Sequence, residues 1–333
     1  MNINKSLFLE LLEPHDKPAC MGDVWEAFAD GHMVFDPITI NDISFELDEN
    51  YRGVDQWGIT WRKAPTDPGY IPIHTDDTMV IKDIDHWQDY LKVPDISQLN
   101  WEAAKEQVAK VDRSEYLIMV PTFYGIFERL HILMGFDKAL LYFYKKPALI
   151  NEILTVLTDY KIEVCKQVID NLAPDIIHSH DDWGDGNNLF IAPRIWKKVL
   201  KPHYERLYSY IKSRGVLIQH HSDGVCAGIE KDMVELQIDM WQGVIPANDI
   251  LKMKESVNGK MLLMGGLDQS KFDVSNYDED FIRSHVREAI DLYAPGGGFV
   301  PNVAGNFCII PEVDRIVRDE MKQYGEIWMQ KNA

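Results

Sequence analysis

Three side chains at two predicted strand ends carry the most specific chemistry in this sequence. His221 and Asp223 stand two residues apart in the run IQHHSDG, Ile218 to Gly224, directly after a short apolar stretch, and Cys308 follows the last predicted strand. An imidazole, a carboxylate and a thiolate make a borderline-soft donor set suited to zinc. Three protein ligands also leave one position open, as a catalytic ion needs. Spacing alone favours a plain packing role, in which His221 and Asp223 cap the next helix and Cys308 fills core. Cys226 competes as a ligand, although a buried helix position suits it better. His220, one residue from His221, points to the other side of the strand and packs behind it.

A second cluster is HSHDDWG, His178 to Gly184. Asp181 and Asp182 are candidate acid–base groups or metal ligands, and neighbouring carboxylates in a cleft push each other's pKa values apart. An Asp-rich turn bonding its own backbone is the alternative. Other predicted strand ends carry Phe123 and Tyr124, Gln242, Gly265 and Gly266, and Asn302 and Asn306. The opposite strand ends, such as Pro174–Asp175 and Arg214–Gly215, are ordinary turns. Chemistry gathered at one edge of a sheet marks an active site at the carboxyl ends of parallel strands.

Those strand ends need a scaffold that brings them together. From residue 116 onward, apolar strands alternate with helices: YLIMV, then helices over Gly125–Tyr144 and Pro147–Leu172, then PDIIHSH, a helix kinked near Pro202, VLIQHH, and so on to a closing C-terminal helix. Such alternation implies parallel βαβ units. Six strands are clear, and two more from the irregular first third would close a (β/α)8 barrel (TIM barrel). The expectation is one barrel domain over 1–333, with an irregular N-terminal portion, 1–112, holding a small antiparallel β element, and regular βα units over 113–333. Within that first portion KPACMGDVWEAFADG reads as a short helix, and ITINDISFELDENYRGVDQWGITWRKAP as short antiparallel strands. Gly296–Gly298 precedes a strand instead of opening a helix, so it predicts a tight turn and not a phosphate cradle.

Composition narrows the function classes. The 333 residues are 46% hydrophobic and 26% charged, an ordinary globular balance. A net charge of −19 argues against nucleic acid and anionic membrane as partners and suits a protein partner with a basic face. The sequence has no bilayer-length apolar run, an N-terminus unlike a secretory signal, and four scattered cysteines. Together these predict the cytoplasm.

The segments DDWGDGNNLFIAPRIWKKVLKPHYERL, LIQHHSDG, LLMGGLDQSKFD, LYAPGGGFV and FCIIPEV resemble, in order and spacing, the uroporphyrinogen decarboxylase superfamily. The branch is that of the zinc- and corrinoid-dependent methyltransferases. The resemblance runs from FYGIFERLHILMGF to the C-terminus, about two thirds of the chain, and GVDQWGITWRK resembles the branch's D-x-W-G segment. It implies a (β/α)8 barrel and zinc ligands at positions that here are His221, Asp223 and Cys308, with Asp223 where a thiolate is usual. The Arg-rich N-terminal motif of the decarboxylase proper has no counterpart. The resemblance further implies transfer of a methyl group to or from a cobalamin-type corrinoid carried by a partner protein. A carboxylate in place of a thiolate favours polarising an ether oxygen. The expected activity is therefore O-demethylation of an aromatic methyl ether, the methyl passing to cobalt(I), with Asp181 or Asp182 protonating or positioning the leaving oxygen. Phe123, Tyr124 and Trp183 would wall the ring, or simply pack the barrel mouth, and Asn306 would contact substrate. Methylation of a thiol, a decarboxylase and a non-catalytic scaffold are the alternatives.

Overall fold

The computed structural model describes residues 5–12, 33–43, 45–65, 67, 69–305 and 307–332. The helix expected over KPACMGDVWEAFADG and the substrate contact expected of Asn306 lie outside the described residues.

The first third holds a three-stranded antiparallel sheet: β1 (Arg52–Val54), β2 (Thr60–Arg62) and β3 (Ile71–Pro72). The turn between β1 and β2 is organised by Asp55. Its carboxylate accepts the N–H groups of Trp57 and Ile59, both at 2.9 Å, and the indole N–H of Trp61 at 2.8 Å. This explains the pattern D-Q-W-G: a buried acid closes the turn, and the rings that follow pack inward. ITINDI, expected as a strand, is a helix, Pro37–Ile43. Asp36 accepts the N–H groups of Ile38 and Thr39, and Pro37 suits the first helical position. These start signals outweigh the β-branched residues that suggested a strand.

The main sheet has six parallel strands in chain order: β4 (Met119–Thr122), β5 (Ile176–His180), β6 (Leu217–His221), β7 (Met240–Val244), β8 (Leu262–Leu267) and β9 (Phe299–Val303). Met33 forms one parallel bridge to Met119 and lays a further chain pass beside β4. Among the described residues the sheet extends no further, so the eight-stranded closure is not reached there. Strand alternation divides the side chains of β5 to β9 between two buried clusters, while Val120 of β4 joins a third. Ile176, Met240, Leu262, Met264 and Val300 belong to one. Ile177, Ile218, Trp241, Leu263 and Phe299 belong to the other, with the helices Pro147–Leu172 and Lys201–Ser213.

Local signals set the helix limits. Gly135, at φ +88°, separates Ile126–Met134 from Phe136–Lys145, which the sequence suggested as one helix. The expected kink near Pro202 is present: Trp196–Leu200 forms a wide π turn before Lys201–Ser213. A proline cannot donate to the carbonyl four residues back, and the wider turn absorbs that loss. Helix Ile250–Val257 is capped by Asp249, whose side chain accepts from Lys252 N–H. Asn248, the residue before it, accepts the N–H of Cys226 and donates to the carbonyl of Gly224.

Candidate metal centre

The carboxyl ends of β5 and β6 face each other in register: His178 opposite Gln219, and His180 opposite His221. Residues two apart on a strand share a face, so two layers result. In the lower layer His178 Nδ1 bonds Gln219 Oε1 at 2.6 Å, and the Gln219 amide points at the Met264 sulfur, 3.4 Å away. In the upper layer the His180 and His221 rings stack with centroids 4.3 Å apart. Asp182 joins them from the next turn, with Oδ1 3.7 Å from His221 Nε2. One potential ligand atom from each of His180, Asp182 and His221 lies within 4.8 Å of the others.

The outer nitrogens of both imidazoles are engaged. His180 Nδ1 lies 3.1 Å from Glu128 Oε2. A carboxylate can only accept, so this nitrogen carries the proton. His221 Nδ1 meets Gln242 Oε1. The Gln242 amide nitrogen donates to the carbonyl of Ala304 at 2.9 Å, so its oxygen faces the ring and His221 Nδ1 also donates. His221 thus turns a free Nε2 lone pair to Asp182, and His180, held through Nδ1, would do the same with Nε2 once it has lost its second proton, the arrangement that metal-ligating histidines adopt.

The electrostatics divide along the same lines. Burial and the neighbouring His180 push the His221 imidazole well below its ordinary value, so it is neutral. Burial opposes charge on His180 too, but the Glu128 carboxylate outweighs it and lifts the imidazole to about 9. Burial would raise Glu128, yet the charge on His180 holds its carboxyl below the usual range. Burial and then the Glu128 charge push Asp182 up to about 7. Two neutral nitrogens and one carboxylate oxygen, once His180 and Asp182 release their protons, fit zinc or a similar borderline cation.

The structure separates the residues singled out from sequence. His221 is in the centre, and Asp182 stands beside it as a potential ligand. Asp223 borders it: its backbone N–H donates to Asp182 Oδ1 at 3.1 Å, and its own side chain is exposed at the rim. Cys308 is not one of the three gathered side chains. It is buried with Phe272, Val313 and Ile316, its N–H bonds Asp314, and burial pushes its thiol up to about 12. Cys226 is also buried, its sulfur 3.4 Å from Ser222 Oγ. The three gathered side chains therefore include no sulfur.

Asp181 turns the other way from its neighbours. Its carboxylate accepts the N–H groups of Phe127 at 3.0 Å and Glu128 at 2.8 Å, and a bond from the Tyr204 hydroxyl. It caps helix Ile126–Met134 and faces no substrate space. Trp183 is also behind the sheet, 1% exposed, stacked on His220 at 3.8 Å and bonded to the Tyr204 hydroxyl. His220 takes the expected outward position, Nδ1 2.8 Å from the Tyr208 hydroxyl. Phe123 does stand at the mouth, its ring 5.2 Å from that of His180. Tyr124 stacks on Trp61 at 5.3 Å, and Arg129 lies over the rings of Trp57 and Tyr124. The antiparallel sheet thus buttresses this wall through the residues of the D-Q-W-G turn.

Glu128 was not legible as a site residue. In sequence it is an acid in the first turn of a helix, where carboxylates are common. His180 had a usable signal: HSH puts two imidazoles on one face of a strand, and parallel pairing with HH sets His180 beside His221.

A methyltransferase from Methanosarcina mazei has a similar structure, with a TM-score of 0.65 at 18% identity, covering 96% of this chain and 98% of that one. At such identity the likeness is one of fold. No protein with a curated description matches. The family model for uroporphyrinogen decarboxylase (URO-D) matches residues 77–314, which include β4 to β9 and the whole candidate centre. This chain therefore belongs to the uroporphyrinogen decarboxylase family.

Proposed function

We propose that this protein is a metal-dependent methyltransferase that removes the methyl group of an aromatic methyl ether and passes it to the cobalt(I) of a corrinoid carried by a partner protein. The observation that carries the reading is the convergence of His180, Asp182 and His221 at the carboxyl edge of the sheet, with ligand atoms within 4.8 Å of one another. Those three residues would hold the ion, a revision of the set His221, Asp223 and Cys308 that the resemblance implied. A zinc ion held there would supply a Lewis acid for an oxygen ligand. The likeness in fold to a methyltransferase supports the reaction class.

The chain's own groups account for the rest. A donor set of nitrogen and oxygen is harder than one of thiolates, so it suits an ether oxygen better than a thiol that must stay nucleophilic. Phe123 offers the ring a face beside His180. The carbon–oxygen bond breaks with its electron pair left on the phenolate oxygen, and the methyl carbon is taken by the electron pair of cobalt(I). Asp223 stands at the rim, where partial desolvation by the cleft wall is the chief cause that raises its carboxyl above the usual range. It is placed to return a proton to the leaving oxygen, the role that sequence reasoning gave to Asp181 or Asp182.

The test is an assay with guaiacol-like ethers, a reduced corrinoid and the full chain, followed by the absorbance of the methylated corrinoid and by phenol release. Methylcorrinoid formed in proportion to phenol supports the proposal. Thiol methylation without ether cleavage, or decarboxylation without either, contradicts it.

A further inference from the structure

We infer that Glu128 is the positioning residue of this centre: it fixes the ring and tautomer of His180 and makes that imidazole the stronger donor of the pair. The inference rests on the metal-centre reading and concerns how the chain prepares the site.

The two imidazoles are supported unequally. The outer nitrogen of His221 donates to a neutral amide, Gln242, whereas that of His180 donates to a carboxylate at 3.1 Å. A carboxylate behind an imidazole raises the basicity of the ligating nitrogen more than an amide does. It also places a negative charge next to the cation without occupying a coordination position.

Glu128 reaches this place because three consecutive residues of the β5 exit alternate in direction. His180 and Asp182 face the centre, and Asp181 between them faces helix Ile126–Met134. There it accepts the N–H of Phe127 and of Glu128 itself. The same strand end that supplies two ligands therefore also grips the backbone of the residue supporting one of them. Gly125 permits the approach: a Cβ at that position would lie 2.0 Å from Asp181 Cγ. Glu128 further accepts the N–H of Gly125 at 3.4 Å, which holds its carboxylate back over the helix start. The acid is thus fixed at its backbone and at its side chain, and its carboxylate meets His180 Nδ1.

The test is titration of the metal-free full chain with cobalt(II), followed by visible absorption, which reads affinity and coordination geometry without any catalytic assay. Glu128→Ala should weaken cobalt binding on the order of ten- to a hundredfold, in line with other outer partners of metal ligands, and shift the absorption bands. Glu128→Gln keeps an acceptor for Nδ1–H but loses the charge, so it should lie between Glu128→Ala and the parent chain. If Glu128→Ala fails to fold, Glu128→Gln decides: affinity and spectrum equal to those of the parent chain overturn the inference. If His180→Ala abolishes cobalt binding while both Glu128 variants bind as the parent does, the metal centre stands and the role of Glu128 falls. If the parent chain binds no cobalt, both fall.

Discussion

Replacing His180 and Cys308 separately by alanine distinguishes the donor set seen in the structure from the one implied by sequence motifs. His180 supplies one of the three atoms gathered within 4.8 Å. If a zinc site is worth about 10–16 kcal/mol, one protein ligand of three carries about 3–5 kcal/mol. His180→Ala should then weaken zinc binding on the order of a hundred- to several-thousandfold. Cys308 is buried in the cluster that holds Phe272, Val313 and Ile316 and is not one of the three gathered side chains. Its replacement should cost about 1 kcal/mol of stability through the lost packing volume and leave zinc affinity unchanged. Competition with a chromophoric chelator measures both affinities, and a thermal melt on each variant separates loss of metal from loss of fold. The reasoning is refuted if His180→Ala binds zinc as the parent does while Cys308→Ala does not.

Zinc binding should also release protons. His180 is lifted to about 9 and Asp182 to about 7 in the metal-free chain, and both must lose their protons to ligate. Apparent affinity should rise with pH up to about 9, more steeply below 7, and the binding enthalpy at pH 8 should vary with the ionisation enthalpy of the buffer; an enthalpy independent of buffer contradicts this. Gly125→Ala places a Cβ 2.0 Å from Asp181 and should cost about 2–4 kcal/mol, from overpacking plus a lost helix cap, in a urea titration; a loss under about 0.5 kcal/mol would mean that the cap is not as described. Phe123→Ala should raise KM for an aromatic ether roughly fivefold, from about 1 kcal/mol of lost ring contact, with a smaller effect on kcat; an unchanged KM removes Phe123 from the substrate wall.

Much of the scaffold was readable because it follows from local rules. Parallel strands of β-branched and apolar residues, proline at helix starts and glycine at helix ends predicted the order of elements from β4 onward. Asp36–Pro37 shows the limit of periodicity: a capping acid and a proline in the first helical position turned ITINDI into a helix. At the centre, His221 was legible because a polar cluster ending an apolar strand is unusual. Asp182 and His180 also stood in a polar strand end, but their grouping with His221 was not legible, because it depends on register and on non-local contact. Only the pairing of β5 with β6 sets His180 opposite His221. Only the close approach of helix Ile126–Met134 to the β5 exit turns Asp181 into a cap and brings Glu128 to His180. Cys308 shows the opposite case, a residue in a motif's place that is not among the three gathered side chains.

The central claim is the identity of the atoms around the ion. X-ray absorption at the zinc edge of the loaded protein reports them directly. The structure predicts nitrogen and oxygen neighbours only, at about 2.0–2.2 Å. A sulfur neighbour at about 2.3 Å would return a cysteine to the centre and contradict the assignment to His180, Asp182 and His221.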